Sequence, residues 1–255
     1  MTRAILLAAG RGERLGRHTR QQPKASVRAG GRSLLDWNLR ALAACGVDRI
    51  ACVGGYRHDC LADARANLIV NDAWASGGPL QSLQAAGPDR LEDAFLVVYG
   101  DCVHHPDNLR ALLDAHADVA VAGDRCWSEL WRERQGDPLV DAESYRALDG
   151  RLLDIGAAPI HALEAAQAQF AGLVKFTPQG WRSALRAIDR HACTDMTGLL
   201  AALLRDGLPV ADVPIRGRWC EIDSANDLAL CRRRLREPQP WRHDWRSEAE
   251  QRRCR

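Results

Sequence analysis

The sequence predicts an α/β fold, a mainly parallel sheet with helices on both faces. Three observations carry that expectation. Through residue 125, short apolar runs recur without polar alternation, and each stops at a glycine or a polar turn. Strands buried on both faces read this way. Between the runs lie segments with apolar residues at helical spacing, and strand alternating with helix builds βαβ units. Finally, 46% apolar residues over a 255-residue chain can fill one large core, while 27% charged residues keep the surface in water.

The elements follow in order. Ala4-Ile5-Leu6-Leu7-Ala8-Ala9 is a buried strand ending in Gly10. Ser33 to Cys45 repeats Leu34, Leu35, Leu39 and Leu42 at helical spacing, with Gly46 as its stop. Asp48 to Gly54 supplies a second strand, Leu68-Ile69-Val70 a third, and Ala94 to Tyr99 a fourth that stops at Gly100-Asp101. Helices fit Pro79–Ala86 and Asn108–His116, and Val119–Ala122 is a further strand. Ligands on such sheets lie beyond the carboxyl ends of the strands, which puts Gly10–Gly12, Gly54-Gly55 and Gly100-Asp101 on one rim.

After residue 125 the rhythm loosens. Trp127 to Gly136 mixes two tryptophans with charges, and Asp137-Pro138 opens a turn. Asp149-Gly150 before Arg151–Ile155 is a hairpin signal. Phe170–Phe176 reads as a strand returning to the sheet, Met196–Leu204 as a helix, and Val210–Ile215 and Arg218–Asp223 as strands. A helix capped at Ser224 or Asp223 follows. The stretch 125–220 is expected to form an inserted acceptor-binding region of a domain spanning 1–237. Residues 238–255, with no clear apolar face, read as a basic tail that is mobile or loosely docked.

Composition excludes several classes. No apolar run approaches the roughly 20 residues of a membrane span, and the run in MTRAILLAAGRG is too short for a secretory signal. Nine cysteines contain no C-x-x-C pair, which argues against zinc and for reduced thiols in a cytoplasmic protein. The formal charge of +2 conceals an uneven distribution. Residues 1–28 carry seven Lys or Arg against Glu13 alone, 232–255 carry nine against four acids, and the span between holds 19 basic and 28 acidic residues. A basic, glycine-containing head suits an anionic ligand; a basic tail alone is weak grounds for nucleic-acid binding. Of the 35 basic residues only Lys24 and Lys175 are lysines, which singles both out against chance survival.

Leu7-Ala8-Ala9-Gly10-Arg11-Gly12 directly follows the first strand. Small residues let backbone approach a ligand, and successive N–H groups in a glycine-containing turn make an anion-binding concavity. The segment is no Walker loop, since no G-K-[ST] follows, and Leu15 fills the third glycine position of a dinucleotide fingerprint. With Arg14-Leu15, Thr19 and Pro23-Lys24, it resembles the signature of the nucleotidyltransferase superfamily that makes NDP-sugars and CDP-alcohols. The likeness spans about residues 3–235 and is nearest to phosphocholine and phosphonate cytidylyltransferases. Its further carriers are Val53–Tyr56, Tyr99-Gly100-Asp101, Asp137-Pro138-Leu139 with Asp141-Ala142-Glu143, Gly172–Pro178, Asp195-Met196-Thr197 and Glu221–Ser224.

The resemblance implies a Rossmann-like, GT-A-like nucleotidyltransferase fold and magnesium-dependent transfer of CMP from CTP to a small phosphorylated or phosphonate alcohol or amine, with release of pyrophosphate. Joining two anions is chiefly positioning and charge neutralisation. Backbone at Leu7, Ala8, Ala9, Gly10, Arg11 and Gly12, with Gly55 and Ser82, is expected to hold the nucleotide, and Arg14 and Lys24 to neutralise it. Asp101 and Asp223 fit a magnesium pair; read singly, they are equally a turn former and a helix cap. On the acceptor side, Trp131 and Trp219 fit an aromatic box for choline, against ordinary burial or a homodimer contact. Glu129, Asp195 and Glu221 fit an ammonium, and Lys175 the acceptor phosphate. His104-His105 are expected to be solvated.

Two departures bear on substrate. Ala157-Ala158 stands where the subgroup often has basic residues, and Ser76–Leu83 contains a Gly-Pro-Leu resembling the guanylyl-transferring molybdopterin branch, which leaves the base open. The competing readings are a sugar-1-phosphate nucleotidyltransferase and a catalytically silent nucleotide-binding module.

Overall fold

The computed structural model describes residues 3–135, 142–159 and 166–253. Asp137-Pro138 and Asp141 lie outside them, as do the side chains of Ala157 and Ala158. In chain order the elements are β1 (Arg3–Ala8), β2 (Arg28–Ala29), β3 (Arg32–Ser33), α1 (Leu34–Ala44), β4 (Arg49–Gly54), β5 (Asn67–Val70), α2 (Pro79–Ala85), β6 (Phe95–Tyr99), β7 (Cys102–His104), α3 (Pro106–Leu113), β8 (Val119–Asp124), α4 (Trp127–Gln135), β9 (Glu143–Leu148), β10 (Arg151–Pro159), β11 (Gln169–Phe176), α5 (Pro178–His191), α6 (Met196–Arg205), β12 (Ala211–Ile215), β13 (Trp219–Glu221), α7 (Ala225–Arg234) and α8 (Glu248–Arg253).

Nine strands form one sheet in the order β5-β4-β1-β6-β11-β8-β12-β10-β9. Its first half, β5-β4-β1-β6, is parallel, as the apolar runs predict. The strand β11 enters antiparallel between β6 and β8, and the β9–β10 hairpin closes the far edge antiparallel to β12. The chain leaves β1 for β4 on one side and reaches β6 on the other. That reversal opens a crevice at the carboxyl end of β1, where ligands of such sheets bind.

Alternate side chains of the central strands feed two cores. Ala4, Leu6, Leu96 and Val98 pack under α1, α3, α4 and α7, while Ile5, Leu7, Val97 and Val121 meet α2, α5 and α6. Several helices begin at capped residues: Ser33, Thr177, Asp195 and Ser224 each accept a backbone N–H from the first turn, a contribution of about 1 kcal/mol apiece. No described helix is long and apolar enough to cross a membrane.

The reading of 238–255 as a mobile or loosely docked tail is corrected. Trp241, His243 and Trp245 are buried, and Trp245 meets Trp37 of α1 edge-on with 6.1 Å between ring centroids. Three aromatic rings within five residues supply the apolar surface that no helical spacing advertises. His104 and His105 are likewise buried rather than solvated, the former stacked on Trp219 and the latter at the N-terminus of α3, where Nδ1 accepts from the Asp107 amide.

Candidate active site

The loop after β1 is shaped by close backbone approach. Gly12 has φ 74°, and a β-carbon there would stand 2.9 Å from Cβ of Lys24, so the lysine stem lies along the glycine. The Thr19 hydroxyl donates to the Gly12 carbonyl at 2.8 Å and fixes the turn. A β-carbon on Gly100 would stand 2.6 Å from the Leu7 carbonyl, and one on Gly55 would meet Trp74 and the Ala9 carbonyl. Gly10, by contrast, faces open space. The pocket at this rim measures about 170 Å³ and is lined by Leu7 to Gly10, Lys24, Trp74, Gly77 to Pro79, Ser82 and Tyr99 to Asp101. Inside it, Ser82 accepts a hydrogen bond from Asn71 Nδ2 at 3.1 Å.

Two carboxylates far apart in sequence converge here because a short ribbon brings them together. Strand β13 pairs antiparallel with β7, Glu221 opposite Cys102, and the Ile222 amide donates to the Asp101 carbonyl at 3.0 Å. Lys24 Nζ then donates to Asp101 Oδ2 at 2.7 Å and to Asp223 Oδ1 at 2.5 Å, while Arg14 pairs with the other Asp223 oxygen. Burial alone would lower the Lys24 pKa, but the charges of Asp101, Asp223 and Glu221 outweigh it and hold the ammonium protonated. Burial would likewise raise Asp101, and the Lys24 ammonium pulls it below the ordinary carboxylate range.

The pair also has the chemistry for magnesium. Both are hard oxygen donors gathered at one point, and among the described residues no group of three or more His, Cys, Asp or Glu could hold a metal unaided. Magnesium, which is usually held by one or two carboxylates together with substrate phosphates, suits such a donor set.

Beyond the pair the cleft stays acidic. Burial raises Glu221, with Asp101 and Asp223 adding to the rise and Arg134 opposing it. Glu143 on β9 is raised by desolvation and by the charges of Asp195 and Glu221. Asp195 caps α6, accepting from the Gly198 amide at 2.7 Å, beside the wall that Gly78 forms against Thr194. Tyr99, raised chiefly by burial, feels Asp101, Asp195 and Glu143. Asp195 and Glu221 thus lie at the cleft with the nucleotide-loop residues, Lys24, Arg14, Asp101 and Asp223.

Four expected acceptor residues do not reach it. Trp131 is buried against Trp127 and Trp219, and the Arg134 guanidinium lies 4.6 Å over its ring, so the chain's own cation covers that face. Trp219 is buried with its Nε1 donating to Asp124 at 2.8 Å. Glu129 points outward to Arg242 at 2.9 Å. Lys175 stands opposite Leu96 near the start of β6, at the far end of the sheet, and its Nζ donates to the Leu113 and Ala115 carbonyls at the C-terminal end of α3. An ammonium at a helix C-terminus satisfies orphan carbonyls and the dipole. Sequence reasoning assigned no role to Trp74, Tyr99, Arg134 and Glu143. Tyr99 and Glu143 were in segments that carry the resemblance, whereas Trp74 and Arg134 had no local signal.

The profile of the MobA-like NTP transferase domain family matches residues 4–150. The chain is similar to the CTP:phosphoglutamine cytidylyltransferase of Campylobacter jejuni, 30% identical over 89% of this chain and 98% of that one. It is also similar to the CMP-5'-(3-aminopropyl)phosphonate synthase of Streptomyces rubellomurinus, 32% identical over 48% of this chain and 21% of the other. Among solved structures, the CTP:phosphocholine cytidylyltransferase of Streptococcus pneumoniae shares the fold with a TM-score of 0.68 at 18% identity, covering 91% of this chain and 98% of that one.

Proposed function

The chain belongs to the MobA-like NTP transferase family and is a nucleotidyltransferase, and from that premise we propose that it transfers CMP from CTP to a small amine-bearing phosphate or phosphonate. The observation that carries this reading is the meeting of Lys24, Asp101 and Asp223 beside the glycine loop. An acceptor oxyanion attacks the α-phosphorus, a P–O bond forms to the acceptor, the α–β bridging P–O bond breaks, and pyrophosphate leaves with that electron pair. Both reactants are anionic, so the chain must hold them in line and offset their charge.

Amides of residues 8–12 bind the triphosphate, and Lys24 and Arg14 supply the compensating cations. Trp74 and Ser82 line the pocket offered to the base. Asp101 and Asp223 would hold magnesium, which supplies neutralisation of the phosphate oxygens when bound. Asp195 and Glu143, beside Glu221 that is already paired with Arg134, gather carboxyl groups on the acceptor side, which suits an ammonium group and disfavours an acceptor with phosphate alone. The names of the relatives, phosphoglutamine and an aminopropylphosphonate, support an acceptor of that kind. The cation–π route to choline loses its support with Trp131 covered.

The test pairs each of CTP, UTP, GTP and ATP with aminoalkyl phosphonates, phosphorylated amino acids, phosphocholine and hexose 1-phosphates in magnesium buffer. Pyrophosphate release and ³¹P NMR of the product are read. Turnover is expected with CTP and an amine-bearing acceptor. Turnover of hexose 1-phosphates alone overturns the acceptor class, and turnover with GTP alone overturns the base. Absence of pyrophosphate from every pairing leaves a silent nucleotide-binding module.

A further inference from the structure

We infer that Arg134 is a positioning residue for the reacting carboxylate Asp223, one guanidinium gripping both ends of the turn that carries it. The inference rests on the reading that Asp223 acts at the phosphates. Asp223 belongs to no strand or helix; it occupies the short link between β13 and α7. Its amide donates to Asp227 Oδ2 at 3.1 Å, and the Ser224 amide donates to the same oxygen at 2.8 Å. Ser224 Oγ accepts the Asp227 amide at 3.2 Å, which completes a capping box. The backbone at Asp223 is therefore held by one carboxylate.

That carboxylate is fully buried, and a buried charge requires a partner. Arg134 supplies it from α4, through Nε to Oδ1 at 2.8 Å and Nη2 to Oδ2 at 3.2 Å. Its remaining terminal nitrogen, Nη1, donates to Glu221 Oε2 at 2.8 Å. Glu221 precedes Asp223 by two residues and Asp227 follows it by four, so the planar fork spans the turn from both sides. Stacking over Trp131 fixes the plane of the fork. A lysine ammonium is a compact point charge without the planar fork, so it cannot keep the bidentate pair to Asp227 and the bond to Glu221 together in this plane.

Arg134→Lys is the test, with the exposed neighbour Arg132→Lys as control and Asp223→Asn in parallel. Mn²⁺ binding to the protein–CTP complex is followed by electron paramagnetic resonance, CTP binding without metal by calorimetry, and turnover with magnesium. In Arg134→Lys, Mn²⁺ affinity and kcat should each fall at least tenfold, while metal-free CTP affinity stays within threefold. Simple destabilisation lowers the folded fraction and weakens metal-free CTP binding and Mn²⁺ binding alike, so loss of Mn²⁺ affinity with CTP affinity kept is not a folding effect. If Arg134→Lys does not fold, Asp227→Asn replaces it; the amide oxygen still accepts from the turn, and the same loss of Mn²⁺ affinity is expected. Wild-type Mn²⁺ affinity in the folded fraction, whatever the melting temperature, overturns the inference alone. Wild-type turnover and Mn²⁺ affinity in Asp223→Asn overturn the reading of the site, and the inference with it.

Discussion

Lys24 holds the site's charges in balance, and its surroundings define what can replace it. Its stem runs against Gly12 and its ammonium lies between two carboxylates. A guanidinium is wider, flat and more weakly hydrated, so it cannot occupy the same point between Asp101 and Asp223. Lys24→Arg should therefore lose about a hundredfold or more in turnover, nearly as much as Lys24→Ala, with unchanged secondary structure by circular dichroism. Wild-type turnover in Lys24→Arg would remove the argument from lysine scarcity. Of the two lysines, only Lys24 lies at the cleft. Lys24 was legible because a phosphate-type loop precedes it, while Lys175 had its rarity and its place in Gly172–Pro178, and neither distinguishes a ligand from a helix C-cap. Trp131 and Trp219 misled for a related reason: a tryptophan near an expected pocket has the same identity whether it faces ligand or core, and only its partners decide, Arg134 over Trp131 and Asp124 at Trp219 Nε1.

At the scale of elements, the loops after β1, β4 and β6 separate glycines that serve packing from one that faces open space. Gly100 admits no side chain because the Leu7 carbonyl is in the way, and Gly55 is closed off by Trp74 and the Ala9 carbonyl. Gly10 lines the pocket with nothing within 4 Å of a would-be β-carbon. Gly10→Ala should accordingly keep its stability within about 0.5 kcal/mol yet raise the KM for CTP about tenfold, since the methyl enters space meant for phosphate. Gly100→Ala should instead lose about 1–3 kcal/mol of stability. Denaturant melts and CTP titrations of the two variants separate the roles, and equal stability losses in both would contradict them. Strands β1, β4, β5 and β6 were legible because uninterrupted apolar runs stopped by glycine or a polar turn have few other readings. The helix α5 was missed because its buried stripe, Trp181, Ser183, Ala184 and Ala187, is built mostly from small residues. Of the ribbon that unites the carboxylates, β13 lies within the expected strand Arg218–Asp223, whereas β7 is three residues long, too short for any periodicity.

The whole molecule carries a pH dependence set by histidines enclosed where the C-terminal segment and the β7–β13 ribbon close over the core. Burial lowers His104 from 6.5 to about 3, with only a weak opposing contact from the Ala171 backbone. His243 is also lowered by burial, against the charge of Asp124. Each is neutral in the folded chain and protonates in the unfolded chain near its ordinary pKa. Above that value neither contributes a pH dependence. As pH falls below 6.5 the unfolded state binds more protons, so stability declines towards the folded pKa of about 3 for His104 at up to about 1.4 kcal/mol per pH unit for a histidine kept neutral. Carboxylates lowered in the fold, such as Asp63 at about 2 beside Arg65, add their loss only at lower pH, as they protonate on the way to that value. Between pH 7 and 5, then, the histidines carry the loss, which Glu143 and Glu221, raised in the fold, offset in part. The wild-type melting temperature should be level from pH 8 to 7 and drop steadily to pH 5, and His104→Phe, which can keep the stack on Trp219, should drop less. Parallel melting curves for the two proteins across that range would show that His104 is not the group that titrates.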